Sequence, residues 1–164
     1  MTKPAAQIID ARATGLRTLD LRKPLFDESA IARADKALEL MGESMEQWLG
    51  ADVERLQGAR RTAETQAWSD TSLDGLMSVA HDVKGMGTTY GYPLATQIAA
   101  SLCRLIETPA GKAVARQDPT LVCAHVDALR AIARDHIKDE AHPIGRALLG
   151  ALEAQVARLG VAPR

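Results

Sequence analysis

The stretch VAHDVKGMGTTYGY, positions 79–92, holds residues whose types and spacing suit chemistry. His81 supplies an imidazole, the side chain most able to act as nucleophile, base or metal ligand near neutral pH. Lys84 follows three places later, Gly85 four places later and Gly91 ten places later. On a helix, 100° per residue puts Lys84 beside His81 and Gly85 one turn above it. A glycine inside a helix costs about 1 kcal/mol relative to alanine, so Gly85 and Gly87 imply that something other than helix stability requires bare backbone. Gly85 opens space over the ring, and Lys84 is placed to meet an anion attached to it. The combination suits a histidine that receives a phosphoryl group from a bulky partner.

Competing chemistries fit less well. A lone exposed histidine beside a lysine is ordinarily a solvated face, and it is the glycines that separate His81 from that case. GMGTTYG misses the dinucleotide-loop spacing by one residue, and an amphipathic helix rather than a strand precedes it. His81, His125, His136 and His142 include no pair at i and i+4, and HExxH is absent, so no metal site is expected. His125 falls in an apolar helix and reads as a residue at the edge of the core, while HIKDEAHP sets His136 and His142 at a polar junction. Cys103 and Cys123 read as small core residues. There is no GxSxG elbow and no carboxylate pair in a recognisable frame.

The elements that must position these residues follow from an apolar period near 3.6 and the scarcity of strand signals, which together predict an all-α fold. Residues 1–27, interrupted by Pro4, Gly15 and Pro24, are expected to be an irregular arm. Helices are expected over about 28–41 and 43–66, separated at Gly42. The second of these carries Met45, Trp48, Leu49, Val53 and Leu56 on one side. SDTSLDG offers caps for a third helix over about 70–90, ending near Gly91. Its stripe Leu73, Leu76, Ala80, Val83 and Gly87 must face the core, which leaves His81, Lys84 and Thr88 towards solvent. Pro93 opens a fourth helix presenting Leu94, Ile98, Leu102 and Leu105, which stops at ETPAGK. A fifth, Pro119 to Ile137, presents Val122, Val126, Leu129 and Ala133. A sixth, Pro143 to Leu159, presents Ile144, Leu148, Leu152 and Val156. Short loops favour an antiparallel bundle. Residues 28–160 are read as one domain, with a core over about 35–137 and a C-terminal helical extension over about 143–159.

Composition narrows the partners. The 164 residues suit a single domain, and 20 Lys plus Arg against 21 Asp plus Glu create no overall field for nucleic acid or an anionic membrane. Two cysteines are too few for a disulfide framework and ordinary for a reducing compartment. No stretch approaches a membrane span, so a cytoplasmic protein is expected.

His81, Lys84, Gly85 and Gly91 match the motif of the histidine-containing phosphotransfer (HPt) domains of bacterial phosphorelays, and residues 35–137 resemble that family. Ala80 and Val83 around the histidine, and Ile98 and Leu102 on the next helix, agree with its pattern. Met86 and Gly87 replace its usual small polar pair, and Cys103 stands where some members place a glutamine, leaving Gln97 or Arg104 as substitutes. The resemblance implies an antiparallel four-helix bundle with an N-terminal arm and an added C-terminal helix. It implies His81 as phosphoryl acceptor, with Lys84, Gly85, Thr88 and Met77 meeting the phosphate or the partner and Met86 and Tyr90 adding apolar contact. The implied partners are response-regulator receiver domains and an upstream hybrid histidine kinase. The Mg²⁺ for transfer would belong to the receiver, no cofactor is expected in this chain, and a monomer is expected rather than a dimer. On this reading the chain is a phosphoryl carrier, not an enzyme with its own ATP-binding domain. The alternative is a helical adaptor that binds a receiver without accepting phosphate.

Overall fold

The computed structural model describes residues 28–160, so the arm expected over 1–27 lies outside the described residues. Those residues form six α-helices and no strand: α1 Glu28–Thr65, α2 Asp70–Met86, α3 Pro93–Ile106, α4 Pro109–Gln117, α5 Thr120–Arg134 and α6 Pro143–Leu159. By its internal contacts the chain divides into Met1–Glu39 and Leu40–Arg164. None of these helices is long and apolar enough to cross a membrane.

The number of helices agrees with the sequence, but their identity differs in two places. The helices expected over 28–41 and 43–66 are one element, α1. A single glycine costs a helix about 1 kcal/mol, and Gly42 stands between strong helix formers, so the hydrogen-bonded ladder runs through it. The second difference is α4, which occupies a segment read as a helix stop. Thr108 caps it by accepting a hydrogen bond from the Gly111 N–H at 3.0 Å, and Pro109 takes the first turn, where its missing N–H costs nothing.

α3 is the central element, packed against α2, α4, α5 and α6. It buries Leu94, Ala95, Ile98, Ala99, Leu102 and Leu105, which includes all four residues of its expected stripe. Each fully buried leucine or isoleucine is worth about 1.5–3 kcal/mol, so this helix is an apolar axis for its neighbours. The second half of α1 adds Leu49, Val53, Leu56 and Ala63 to the same core, while Trp48 on the expected stripe is 54% exposed. On α5, Val122, Val126 and Leu129 are buried, and Ala133 lies at the core's edge.

α6 is rotated from its expected orientation. Gly145, Leu149, Leu152 and Val156 face inward at i, i+4, i+7 and i+11, and Ile144 is 55% exposed. Gly145 explains the rotation, because a Cβ there would stand 2.7 Å from Leu94 Cδ2 and 2.9 Å from the Asp139 carbonyl oxygen. The backbones approach most closely where the side chain is missing, and that contact fixes the face presented.

α2 starts as its sequence suggests, with Ser69 accepting a hydrogen bond from the Ser72 N–H at 3.3 Å. It ends at Met86, earlier than about residue 90. The Gly87 N–H still donates to the Val83 carbonyl at 2.9 Å, and the chain then turns until Gly91, whose φ of +80° suits glycine. The two helix-end glycines differ in surroundings. A Cβ at Gly87 would lie 2.7 Å from Thr96 Oγ1 and 2.8 Å from Thr96 N, whereas one at Gly85 meets nothing within 4 Å among the described residues. Gly87→Ala is therefore expected to destabilise the protein by about 1–3 kcal/mol through overpacking. Gly85→Ala should leave stability unchanged or raise it by up to about 1 kcal/mol. Urea unfolding of the two variants checks the contrast.

Candidate functional site

The apolar stripe of α2 fixes the facing of everything else on that helix. Leu73, Leu76, Ala80 and Val83 are fully buried, and Gly87 is buried beside Thr96. One residue beyond Ala80 the helix has turned 100°, and His81 is exposed there. It opens on a cleft of roughly 450 Å³ lined by Asp52, Arg55, His81, Asp82, Gly85, Met86 and Tyr90. The cleft lies between α1, α2 and the turn after α2.

Charge is concentrated on its α1 side. Arg55 Nη1 donates to Asp52 Oδ1 at 2.9 Å, and Arg55 Nη2 donates to Asp82 Oδ2 at 2.8 Å. The hydrogen bond that Arg55 donates to Asp82 is the main cause that raises the Arg55 pKa above its ordinary value. Burial raises the Tyr90 pKa, and the Asp52 carboxylate raises it further by disfavouring a second negative charge nearby. Tyr90 also meets Trp48, with ring centroids 6.0 Å apart and planes tilted by 50°. Exposed Trp48 and Met86 thus give the mouth of a polar cleft an apolar margin.

His81 and Gly85 are brought together in the cleft, with open space where a Gly85 side chain would begin. Met86 and Tyr90, named with them for apolar contact, line the same cleft, and the remaining residues singled out from the sequence lie elsewhere. Lys84 is half-buried on the α3 side of the helix, where its ammonium partly offsets the rise that burial imposes on the Cys103 pKa. Thr88 is exposed, but Thr96 Oγ1 accepts from its N–H at 2.8 Å and shares a hydrogen with its hydroxyl at 3.0 Å. Met77 is partly buried against the core. Gly91 shapes the turn after α2 and does not line the cleft. Gln97 and Arg104, considered as phosphate contacts from α3, have partners outside the cleft: Gln97 donates to Glu140 at 2.6 Å and Arg104 to Glu153 at 2.7 Å.

Sequence reasoning missed Asp52, Arg55 and Asp82. Asp52 and Arg55 stand at i and i+3 on α1, a spacing that reads as an ordinary surface ion pair. No local pattern links them to Asp82, 27 residues further on. Among the described residues, no group of three or more His, Cys, Asp or Glu side chains is arranged to hold a metal ion.

His125 shows the opposite fate for the same side chain. It is fully buried, deeper than the core edge expected, with Nδ1 2.7 Å from the Leu121 carbonyl oxygen and Nε2 3.0 Å from Ser101 Oγ. A carbonyl only accepts, so Nδ1 carries the proton and Nε2 accepts from the serine hydroxyl. No family model, no curated protein and no solved structure matches this chain.

Burial lowers the His125 pKa from its ordinary 6.5 because a charged ring would be desolvated, and the Arg104 cation lowers it further. A pKa lower in the folded than in the unfolded protein means that the unfolded chain binds the proton more readily. The associated stability is fully present above pH 6.5 and declines as pH falls below it. The melting temperature is therefore expected to drop between pH 7 and pH 5, with His125→Gln flattening that part of the profile. Scanning calorimetry across that range is the check.

Proposed function

We propose that the chain is a histidine phosphotransfer protein, which accepts a phosphoryl group on His81 from a receiver-domain phosphoaspartate and passes it to another receiver. The observation that carries this reading is the exposed His81 beside Gly85, with open space at the position of the missing side chain. Among the described residues nothing in the packing requires that glycine, so the clearance is useful to an approaching partner. On this reading the second half of α1 with α2, α3 and α5 forms the family's antiparallel four-helix bundle, and α4 and α6 are additions to it.

The chemistry asks little of this side of the reaction. The unprotonated ring nitrogen of His81 attacks phosphorus in line as the P–O bond to the receiver's aspartate breaks. The carboxylate leaves with the electron pair of that bond, and the proton on the other ring nitrogen remains free to exchange with solvent. Positioning and electrostatic stabilisation dominate such transfers. Lys84, one turn along α2, offsets the phosphoryl charge from the α3 side. The exposed Trp48 and Met86 offer apolar contact to a docking domain. Mg²⁺ would be held by the receiver, and no step is assigned to a metal in this chain.

Incubation with receiver domains charged by acetyl phosphate is expected to give acid-labile, alkali-stable phosphate on the wild-type chain and none on His81→Gln, with melting unchanged because an exposed side chain contributes little to stability. Labelling retained by the variant would sink the assignment. Binding of receivers without any labelling would favour an adaptor instead. A second test concerns clearance: Gly85→Gln is expected to lose transfer from receivers while keeping phosphorylation by phosphoramidate, a donor small enough to pass the added side chain. Equal loss of both reactions, or of neither, would contradict the role given to Gly85.

A further inference from the structure

The walls of the His81 cleft bear the wrong sign for the group they are proposed to hold. Asp52 and Asp82 contribute two carboxylates, and among the described residues lining it Arg55 is the one cation. A phosphoryl group on His81 adds up to two further negative charges beside Asp82, its neighbour in sequence. Lys84 opposes them from the α3 side only. A phosphohistidine in this cleft requires a second cation on the α1 side, and Arg55 is positioned to supply it.

The two partners of Arg55 are not equivalent. The Asp52 side chain is only 13% exposed and belongs to the same helix at i and i+3, so its bond to Nη1 is the sheltered one. The Asp82 side chain is 49% exposed and reaches Nη2 across the gap from α2 to α1. Water screens that second bond more strongly, and its contribution to stability is small. A guanidinium presents donors in a planar fork, so one arm can change partners while the other stays bound.

We propose that Arg55 is a second phosphoryl-binding residue of this site: anchored by Asp52, it exchanges Asp82 for the phosphoryl oxygens when His81 is phosphorylated. This rests on the phosphotransfer reading above and adds to it a cation from α1, together with Asp82 as the group that holds that cation in reserve. Asp82 thereby restrains phosphorylation, because its carboxylate competes with the phosphoryl group for the same arm. The two members of the ion pair consequently have opposite effects, which a merely structural pair would not have.

The test uses the full chain with phosphoramidate as donor, so that no receiver surface is involved, and follows phosphohistidine formation and lifetime by ³¹P NMR. Arg55→Ala is expected to slow formation or shorten the lifetime roughly 3- to 10-fold, a modest effect because the site is half open to water. Arg55→Lys should recover part of the loss. Asp82→Asn should form phosphohistidine at least as fast as the wild type. In the unmutated protein, the Arg55 side-chain NMR signals should shift on phosphorylation, a measurement that does not depend on any variant folding. Equal losses in Arg55→Ala and Asp82→Asn, or unshifted Arg55 signals in a phosphorylated protein, would overturn the proposal while leaving His81 as acceptor. Failure of the wild type to accept phosphate from either phosphoramidate or receivers would remove the phosphotransfer reading itself, and this proposal with it.

Discussion

The burial of one stripe of α2 is the constraint on which the rest of the site depends. Leu73, Leu76, Ala80 and Val83 are withdrawn from water against the core, and Gly87 lets α2 end close against Thr96 at the start of α3. A helix is a rigid rotor at 100° per residue, so fixing that stripe also fixes His81, Asp82 and Gly85 on the outside. The exposure of the histidine follows from the apolar residues around it. The close contact at Gly87 sets the depth of the turn that brings Tyr90 to the edge of the cleft. A histidine with freedom to move would have to be oriented afresh at every encounter, and a buried helix face removes that cost in advance.

Around this frame, electrostatics distinguishes residues of the same type. His125 is buried with both ring nitrogens committed, one to a carbonyl and one to Ser101, and its neutral form is the one the core accepts. His136 stands at the junction before α6, where the Tyr92 hydroxyl lies 3.1 Å from its Nδ1 and Glu46 approaches the same nitrogen at 3.5 Å. Burial is the main cause that pushes the Tyr92 pKa to about 12, with Glu46 reinforcing it, so the phenol stays protonated and available as a donor. Lys138 lies 5.4 Å from the centre of the Tyr92 ring, and its carbonyl accepts from the Leu94 N–H at 3.0 Å. This group ties the α5–α6 junction to α1 and to the first turn of α3. It serves connection, whereas His81 is left in an open cleft.

The carboxylates flanking the cleft suggest how such a site can be quiet at rest and receptive when charged. In the structure, Arg55 is paired on both arms, and among the described residues lining the cleft no uncommitted guanidinium donor pair faces a passing anion. On the proposed reading, an incoming phosphoryl group displaces Asp82, a weak and water-screened partner, rather than Asp52. On the same reading, the arrangement favours a group delivered directly onto His81 over anions free in solution. It depends on tertiary placement, since the participating residues come from two helices.

The sequence by itself determined the helical class, the inward stripes of α2 and α3 and the outward facing of His81, while it ran α2 on to about residue 90, past its end at Met86. Each of these is a local property, because periodicity, capping residues and left-handed glycine positions act within one or two turns. The same local signals misled at Gly42, where one glycine was too weak to divide α1, and at Pro109 and Gly111, where residues read as a stop begin α4. Local pattern also assigned Ile144 and Trp48 to the interior. The sequence already set Gly87 on the inward stripe and Gly85 over His81, and tertiary structure alone decided how closely Gly87 meets Thr96. It also decided that Arg55 meets Asp82 across 27 residues, that Gly145 turns α6, and that His125 lies wholly within the core. These features depend on how closely two helices approach and at what rotation. Both are set by the summed packing of many side chains, and no short stretch of sequence contains that sum.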